Sequence, residues 1–438
     1  MRGLLPLSAV IRLLSLNLVA ASIPRDTKDF LVSHVNDFKR MSFDNLSKHP
    51  KCTISSDESC DVENMAEDTS TLVYPGGDTR CIFSDSGDYA FQVWPGASDK
   101  LMVYFQGGGA CWDKISTKAG LCSTTASPGG EQGVFCRGDC TDNNPFEDYN
   151  IVHVLYCSGD AHIGQVVRDY NDDKGVAVSQ NGANNVQATL DWIKSQDGFF
   201  ERFQSLVLMG CSAGSLGVQA WAHEVMLQLG EAYGFDAAAV VPDSYAGVFP
   251  PDSQSQTIID FGACDVSALD NAPELRDSCK AGTITLQEMT EYALENNPST
   301  PFAFLNSKVD EVQISYYIAI AATMRNDTDF IQPEEYFHQV NEIFEGYSKY
   351  DNVVEFLVQS DQHCYTNNAH YWTADTSSER GGNAGDPTMI DWTSSLPLGE
   401  GEEISTECKG DDIDDLDDRP KRDTKYCYSA LENTFKDY

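Results

Sequence analysis

The sequence predicts an α/β fold in which one large domain has a mostly parallel sheet covered by helices on both faces. The first observation is a set of short, dense apolar runs typical of buried parallel strands, at residues 101–105, 151–156, 205–209, 237–241, 302–305 and 353–358. The second is that amphipathic stretches separate these runs, at residues 185–194, 215–225, 311–324 and 334–347. Residues 89–94 alternate as an edge strand does, and an irregular stretch is expected from residue 242 to about residue 281.

The chain has 438 residues, enough for one large domain with added segments. Residues 1–22 have a basic start, an apolar core and small residues at the end, which is typical of a signal peptide; a retained anchor is the alternative. Residues 23–70 are polar apart from an amphipathic stretch near residues 30–38, and predict an N-terminal extension that could be a propeptide. We expect the core domain at residues 71–398 and an acidic, disordered tail at residues 399–438.

Cysteine usage indicates an oxidising compartment, because the chain has 14 cysteines, an even number. Their spacing does not match that of a metal site, so neither a metal nor another cofactor is expected. Sequence alone does not establish the disulfide connectivity, but the local candidates are Cys52–Cys60, Cys264–Cys279 and Cys408–Cys427. Two sequons would carry glycans in a secretory pathway, at Asn45 and Asn326.

The net charge is −39, which argues against nucleic acids and anionic membranes as partners. Such a surface keeps a protein soluble in salt, and it repels polyanionic substrates unless salt screens the charges. The sequence favours no particular oligomeric state.

The most informative motif is Gly-Cys-Ser-Ala-Gly at residues 210–214, between a predicted strand and a predicted helix. Strand, Gly-x-Ser-x-Gly and helix form the nucleophile elbow of α/β-hydrolases, in which the serine hydroxyl is exposed above the end of the sheet. This pattern predicts Ser212 as a nucleophile. The backbone N–H of Ala213, directly after it, is the first expected donor of an oxyanion hole.

A catalytic serine needs a histidine base and a carboxylate, which follow it along the chain in α/β-hydrolases. His363 follows the last predicted strand and is the expected base. His370 in the same loop is its rival, and His338 lies in a predicted helix and is expected at the surface.

The expected acid is Asp310, which follows the predicted strand at residues 302–305. Asp310 with Gln313 also fits a helix capping box, and the two roles are compatible. Asp260 and Asp265 are weaker alternatives in the irregular stretch. The second oxyanion donor is expected from the glycine-rich loop at residues 106–110, which follows an early strand.

Taken together, the motifs resemble the pectin acetylesterase and Notum family of extracellular serine carboxylesterases. They lie at residues 107–111 (Gly-Gly-Gly-Ala-Cys), 156–160 (Tyr-Cys-Ser-Gly-Asp), 210–214, 310–313 (Asp-Glu-Val-Gln) and 362–364 (Gln-His-Cys). The resemblance implies that Ser212, His363 and Asp310 form the triad. It also implies an oxyanion hole from the backbone of Gly109, Ala110 and Ala213. The family usually has Trp where this chain has Ala110, so a bulky wall of the pocket is expected to be missing.

The leading hypothesis is a secreted, extracellular serine carboxylesterase that hydrolyses O-acyl esters, with acetyl on a polysaccharide, such as that of a cell wall, as the first candidate. A fatty-acyl deacylase acting on a lipid or a lipidated protein is the second hypothesis. A catalytically silent wall or binding protein on the same scaffold is the third. Asp160 and His162 are interpreted as structural residues of a loop near the pocket.

Overall fold

The computed structural model describes residues 23–43, 48–67, 69–138, 144–196, 198–327, 330–381, 388–398, 409–412 and 423–426. The main sheet contains β1 (Lys51–Thr53), β2 (Thr71–Tyr74), β3 (Phe91–Trp94), β4 (Ala97–Phe105), β5 (Tyr149–Val154), β8 (Phe203–Cys211), β9 (Phe235–Asp243), β10 (Phe302–Ser307) and β11 (Val353–Val358). Two further strand pairs lie outside it, β6 (Val166–Asn171) with β7 (Ala177–Gln180) and β12 (Lys409–Asp412) with β13 (Asp423–Tyr426).

The helices are α1 (Arg25–Phe43), α2 (Lys114–Ala119), α3 (Gly182–Lys194), α4 (Ala213–Ala232), α5 (Gln254–Asp260), α6 (Pro273–Ala281), α7 (Leu286–Asn296), α8 (Glu311–Ile320), α9 (Pro333–Tyr347) and α10 (Met389–Ser394). Helices α5 and α6 occupy much of the stretch that was expected to be irregular. The pair β12 and β13 lies in the tail that was expected to be disordered.

The nine strands of the main sheet have the order β1-β2-β3-β5-β4-β8-β9-β10-β11. Neighbouring strands are parallel except at β3, which is antiparallel to both β2 and β5. The prediction of an edge strand at residues 89–94 is wrong, because β1 and β2 extend the sheet beyond β3. β1 also lies ahead of residue 71, where the core domain was expected to begin.

Both faces of the sheet are buried, as the apolar runs predicted. In β8, Leu206 and Leu208 point into one apolar cluster, whereas Val207 and Met209 point into another. Helix α4 contributes Val218, Trp221 and Val225 to the first cluster, and α10 contributes Trp392 to the second. The prediction of a mostly parallel sheet with helices on both faces is therefore confirmed.

Disulfides link segments that are both close and distant in sequence. Among the described residues, the bonds Cys52–Cys60 and Cys264–Cys279 confirm two of the predicted pairs. Three more join residues that spacing did not pair: Cys81–Cys157, Cys111–Cys122 and Cys211–Cys364. The predicted pair Cys408–Cys427 lies outside the described residues.

The remaining predictions concern segments at the margins of the fold. The signal peptide predicted at residues 1–22 and the sequon at Asn45 lie outside the described residues. Asn326 of the second sequon is exposed. Within the described ranges, every helix is too short or too polar to cross a membrane.

Candidate active site

Ser212 lies in the turn between β8 and α4, at the carboxyl end of a central strand. Its backbone has φ 59° and ψ −122°, a conformation that is costly for a residue with a Cβ atom and typical of a nucleophile elbow. A Cβ atom on Gly210 would lie 2.4 Å from the carbonyl oxygen of Gly214, and one on Gly214 would lie 2.0 Å from that of Phe105. Both positions therefore require glycine. The tight turn predicted from the motif is present.

Asp310 and His363 form a buried, hydrogen-bonded pair in the loops that follow β10 and β11. The Nδ1 atom of His363 lies 2.8 Å from Oδ2 and 3.0 Å from Oδ1 of Asp310. Asp310 also caps α8, because its Oδ1 atom accepts the backbone N–H groups of Val312 and Gln313. Since an ionised carboxylate only accepts hydrogen bonds, Nδ1 carries the proton and Nε2 has a free lone pair.

The Nε2 atom of His363 is buried and makes no hydrogen bond within the part of the chain that the structure describes. The disulfide Cys211–Cys364 joins the residue before Ser212 to the residue after His363, with their Cα atoms 5.7 Å apart. It thus brings the elbow and the histidine loop together, although no hydrogen bond links Ser212 to His363 among the described contacts. The arrangement leaves Nε2 as the nitrogen that can accept a proton.

A second buried carboxylate, Asp243 at the end of β9, holds the histidine loop. Its Oδ2 atom accepts the backbone N–H of Tyr365 at 2.9 Å and both the N–H and the hydroxyl of Thr366 at 2.8 Å. The Ser244 hydroxyl donates to Asp243 and accepts the N–H of Cys364. Burial raises the pKa of Asp243, and these hydrogen bonds oppose the rise.

The glycine-rich loop that follows β4 packs directly on the elbow. A Cβ atom on Gly107 would lie 3.0 Å from the Cβ atom of Ser212, and one on Gly109 would lie 2.0 Å from the Tyr316 hydroxyl. Burial raises the pKa of Tyr316, whose hydroxyl donates a hydrogen bond to the carbonyl oxygen of Leu121 at 2.7 Å. Gly109, Ala110 and Ala213, whose N–H groups are the expected oxyanion donors, border the same cavity as Ser212.

A small apolar cavity of about 40 Å³ adjoins Ser212. Trp112 forms part of its wall, and the indole N–H of Trp112 donates to Thr323 at 2.9 Å. A tryptophan two positions after Ala110 thus contributes to the pocket, where a bulky wall was expected to be missing. The cavity is lined by Gly109, Ala110, Trp112, Ala161, Ser212, Ala213, Leu216, Tyr245, Phe249, Thr257, Phe261, Tyr316 and Ile320.

The alternative histidines and acids have other partners. His370 lies 3.0 Å from the carbonyl oxygen of Glu379, and His338 faces Glu342 one helical turn away. The side chain of Gln256 donates to Asp260, and Lys280 pairs with Asp265. None of these four residues contacts Asp310 or His363 among the described interactions.

Asp160 and His162 belong to the framework behind the glycine-rich loop. Asp160 is fully buried and accepts hydrogen bonds from Ser158 and from the backbone of His162 and Gly182. Burial raises the pKa of Asp160 to about 6, against these hydrogen bonds. The Nε2 atom of His162 lies 2.8 Å from the carbonyl oxygen of Gln106, which fixes the start of the glycine-rich loop.

One cluster of side chains has atoms of the kind that bind metals close together: Cys211, His363 and Cys364. The two sulfur atoms form a disulfide, so they do not offer the thiolates that a metal binds.

Sequence reasoning missed Asp243, the disulfide Cys211–Cys364 and the contribution of Trp112. A signal for Asp243 was present, since it follows the predicted strand at residues 237–241, and carboxyl ends of parallel strands carry functional side chains. The disulfide joins residues 153 positions apart. No local pattern indicates such a pairing.

Comparison with known proteins identifies the family of this chain and finds similar solved structures. The profile of a family described as Pectinacetylesterase matches residues 78–398. No curated protein sequence matches the chain. Among solved structures, the chain is similar to the Wnt deacylase Notum from Drosophila, with 18% sequence identity and a TM-score of 0.48. That match covers 72% of this chain and 92% of the other.

Proposed function

Because this chain belongs to the pectinacetylesterase family and is a carboxylic ester hydrolase, we propose that it removes small O-acyl groups, acetyl first of all, from an extracellular polysaccharide. Ser212 is the nucleophile, His363 the base and Asp310 the acid that orients it. The observation that carries the proposal is the buried Asp310–His363 hydrogen bond, which leaves Nε2 of His363 without a hydrogen-bond partner among the described residues.

The reaction follows from this geometry by acyl transfer in two stages. The hydroxyl oxygen of Ser212 attacks the ester carbonyl as its proton passes to Nε2 of His363, and the developing imidazolium is stabilised by Asp310. The negative oxygen is stabilised by the backbone N–H groups of Gly109, Ala110 and Ala213. His363 returns the proton to the departing alcohol. Water then repeats the sequence on the acyl-enzyme and releases the acid.

The size of the cavity favours a short acyl group. A cavity needs roughly 10–15 Å³ to admit one water molecule, so about 40 Å³ beside Ser212 gives room for an acetyl-sized group. A long fatty-acyl chain would require Trp112, Phe261 or Ile320 to move. This observation favours the esterase of short acyl groups over the fatty-acyl deacylase.

The proposed setting is outside the cell, with a cell wall as one possible location of the polymer. The disulfides support an oxidising compartment, as does the pattern of residues 1–22. The net charge of −39 would repel an anionic polysaccharide at low salt and leave a neutral one unaffected. No cofactor takes part in the proposed reaction.

The test is hydrolysis of p-nitrophenyl esters from acetyl to palmitoyl by the chain made through an oxidising secretory route. A Ser212→Ala variant is the control. We expect turnover that is highest for acetyl and disappears in the variant. A profile that peaks at long chains would favour the fatty-acyl deacylase instead.

A second arm compares acetylated neutral xylan with acetylated pectin at low and high salt. We expect the ratio of pectin to xylan turnover to rise with salt, because screening weakens the repulsion of the anionic polymer. Folded protein that hydrolyses none of these esters would support the catalytically silent binding protein.

A further inference from the structure

Helix α1 (Arg25–Phe43) lies against the candidate active site, although it precedes the residues that the family profile matches. It packs on α8, the helix that Asp310 caps. Leu31 and Val35, four positions apart and so on one face of α1, are fully buried. Ser33 and Asn36 lie on the other side and are exposed. The amphipathic stretch in the N-terminal extension thus has a partner within the same chain.

The residue between these apolar contacts is His34, and it faces the proposed base. The rings of His34 and His363 meet edge to face, with centroids 5.1 Å apart and planes at 70°. The pKa of His34 is lowered to about 3, chiefly by burial and to a smaller extent by electrostatic repulsion from His363. At neutral pH His34 is therefore uncharged, and a neutral ring lies against the proposed base.

With α1 docked, the reacting groups have little exposed surface. Ser212 is 4% exposed and His363 is 6% exposed. An acyl group attached to a polysaccharide brings a bulky sugar chain with it, and that chain needs open space above both residues. His34 of α1 lies against the ring of His363 and occupies part of this space.

We propose that the surface formed by His363 and α8 is a docking site for the amphipathic helix α1, and that docked α1 excludes polymeric substrate until it is displaced or removed by cleavage. The proposal rests on the proposed function for its effect on activity. The occupant is a segment of this chain, seated by Leu31, His34 and Val35. The apparent activity on a polymer then equals the intrinsic activity multiplied by the fraction of molecules with α1 undocked.

The first experiment weakens the docking within the full chain. Leu31→Asp with Val35→Asp places two charges in the buried contact, whereas Ser33→Asp with Asn36→Asp adds the same charges to the exposed face. We expect the first pair to raise kcat/KM on acetylated xylan by about tenfold or more, because the open fraction increases. The second pair of substitutions should leave kcat/KM on acetylated xylan within about twofold of the parent value, since surface substitutions have small effects.

The second experiment removes the helix from folded protein. A specific protease site is inserted before Lys48, the chain is cut, and the freed segment is separated. Polymer activity should rise by about tenfold or more on release of the helix. A synthetic peptide of residues 23–43 should reverse this gain, and the same peptide with Leu31→Asp and Val35→Asp should not.

A measurement independent of catalysis separates the two proposals. In Ser212→Ala protein, the amides of residues 25–36 should exchange slowly with deuterium, and fast after Leu31→Asp with Val35→Asp. Equal polymer activity in parent, double variant and cleaved protein would overturn the inhibitory role. If no form hydrolyses any ester, the proposed function fails and the inhibitory role fails with it. Fast exchange in the parent would then overturn the docking site as well, whereas slow exchange would support it.

Discussion

Replacing Asp310 with Asn tests the proposed triad most directly, because hydrogen-bond donors surround this carboxylate. Its Oδ1 atom accepts the backbone N–H groups of Val312 and Gln313, at 3.1 and 2.9 Å. Its Oδ2 atom accepts the Gln313 side-chain amide at 2.9 Å and Nδ1 of His363 at 2.8 Å. An asparagine has only one oxygen, so its NH₂ group must face donors on one of the two sides.

The helix cap determines which side receives the NH₂ group. Two backbone N–H groups require the oxygen at Oδ1, so the NH₂ group takes the place of Oδ2 and faces His363. The side chain of Gln313 cannot rotate to accept from it without loss, since its oxygen accepts the N–H of Ala246 and its nitrogen donates to Asn306. Nδ1 of His363 then accepts a hydrogen bond from this NH₂ group, and the imidazole proton moves to Nε2. With a proton already on Nε2, His363 can no longer accept the proton of the nucleophile.

The expected loss in kcat for Asp310→Asn is about 10⁴-fold, the size of effect found for the wrong histidine tautomer in serine triads. It corresponds to about 5.4 kcal/mol of transition-state stabilisation. KM should change by less than about threefold, because the substitution does not alter the acyl cavity. The free energy of unfolding should fall by about 1–3 kcal/mol for the unsatisfied amide contact.

The assay is hydrolysis of p-nitrophenyl acetate, with urea unfolding to confirm that each variant is folded. Asp260→Asn and Asp265→Asn are matched controls, since both acids precede Asp310 in the chain and neither contacts His363. A kcat for Asp310→Asn within tenfold of the parent would refute the reasoning. So would an equal loss in either control.

Four further predictions concern the support and the access of the site. Asp243→Ala leaves buried N–H and hydroxyl donors unsatisfied, so urea unfolding should show a loss of about 3 kcal/mol or more. Replacing Cys211 and Cys364 with serine should lower the free energy of unfolding by about 2–4 kcal/mol. It should also lower kcat, which an ester assay measures. Trp112→Ala enlarges the acyl cavity and should shift the preferred p-nitrophenyl ester from acetyl towards butyryl or longer chains. Docking of α1 favours neutral His34, whose pKa is about 3 when docked against a usual 6.5. This contribution to docking is therefore fully present well above pH 6.5 and is lost as pH falls. Between pH 7 and pH 5 docking should weaken by about 25-fold, raising the polymer activity of the intact chain relative to the cleaved chain at the same pH.

The parts of the fold that sequence could predict are those set by local pattern. Residues 101–105 of β4 and 206–209 of β8 are buried on both faces and appear in the sequence as continuous apolar runs. In β11 one buried glutamate, Glu355, interrupts the run. The elbow was predictable because its backbone leaves no room for a Cβ atom at Gly210 or Gly214. The loops after β10 and β11 were predictable sites for an acid and a base, since parallel strands bring their carboxyl ends to one edge.

The parts that could not be predicted depend on contacts between distant segments. The position of β3 inside the sheet depends on β1 and β2, and β1 is only three residues long. The disulfide Cys211–Cys364 spans 153 residues. The amphipathic pattern near residues 30–38 indicated a helix with a buried face, but periodicity does not say which surface that face meets.

The contacts of α1 differ in kind from those that hold the catalytic groups. His363 is held by its hydrogen bond to Asp310 and by the disulfide Cys211–Cys364 next to it. Asp243 also holds the loop that follows His363, because it accepts the backbone N–H of Tyr365. Helix α1 has two fully buried apolar side chains, Leu31 and Val35, each worth about 1.5–3 kcal/mol on burial. Helix α1 should therefore undock at a free energy far below that of global unfolding. An opening of this kind would expose His363 while its hydrogen bond to Asp310 is kept, so access to the proposed site can change without any change in the proposed chemistry.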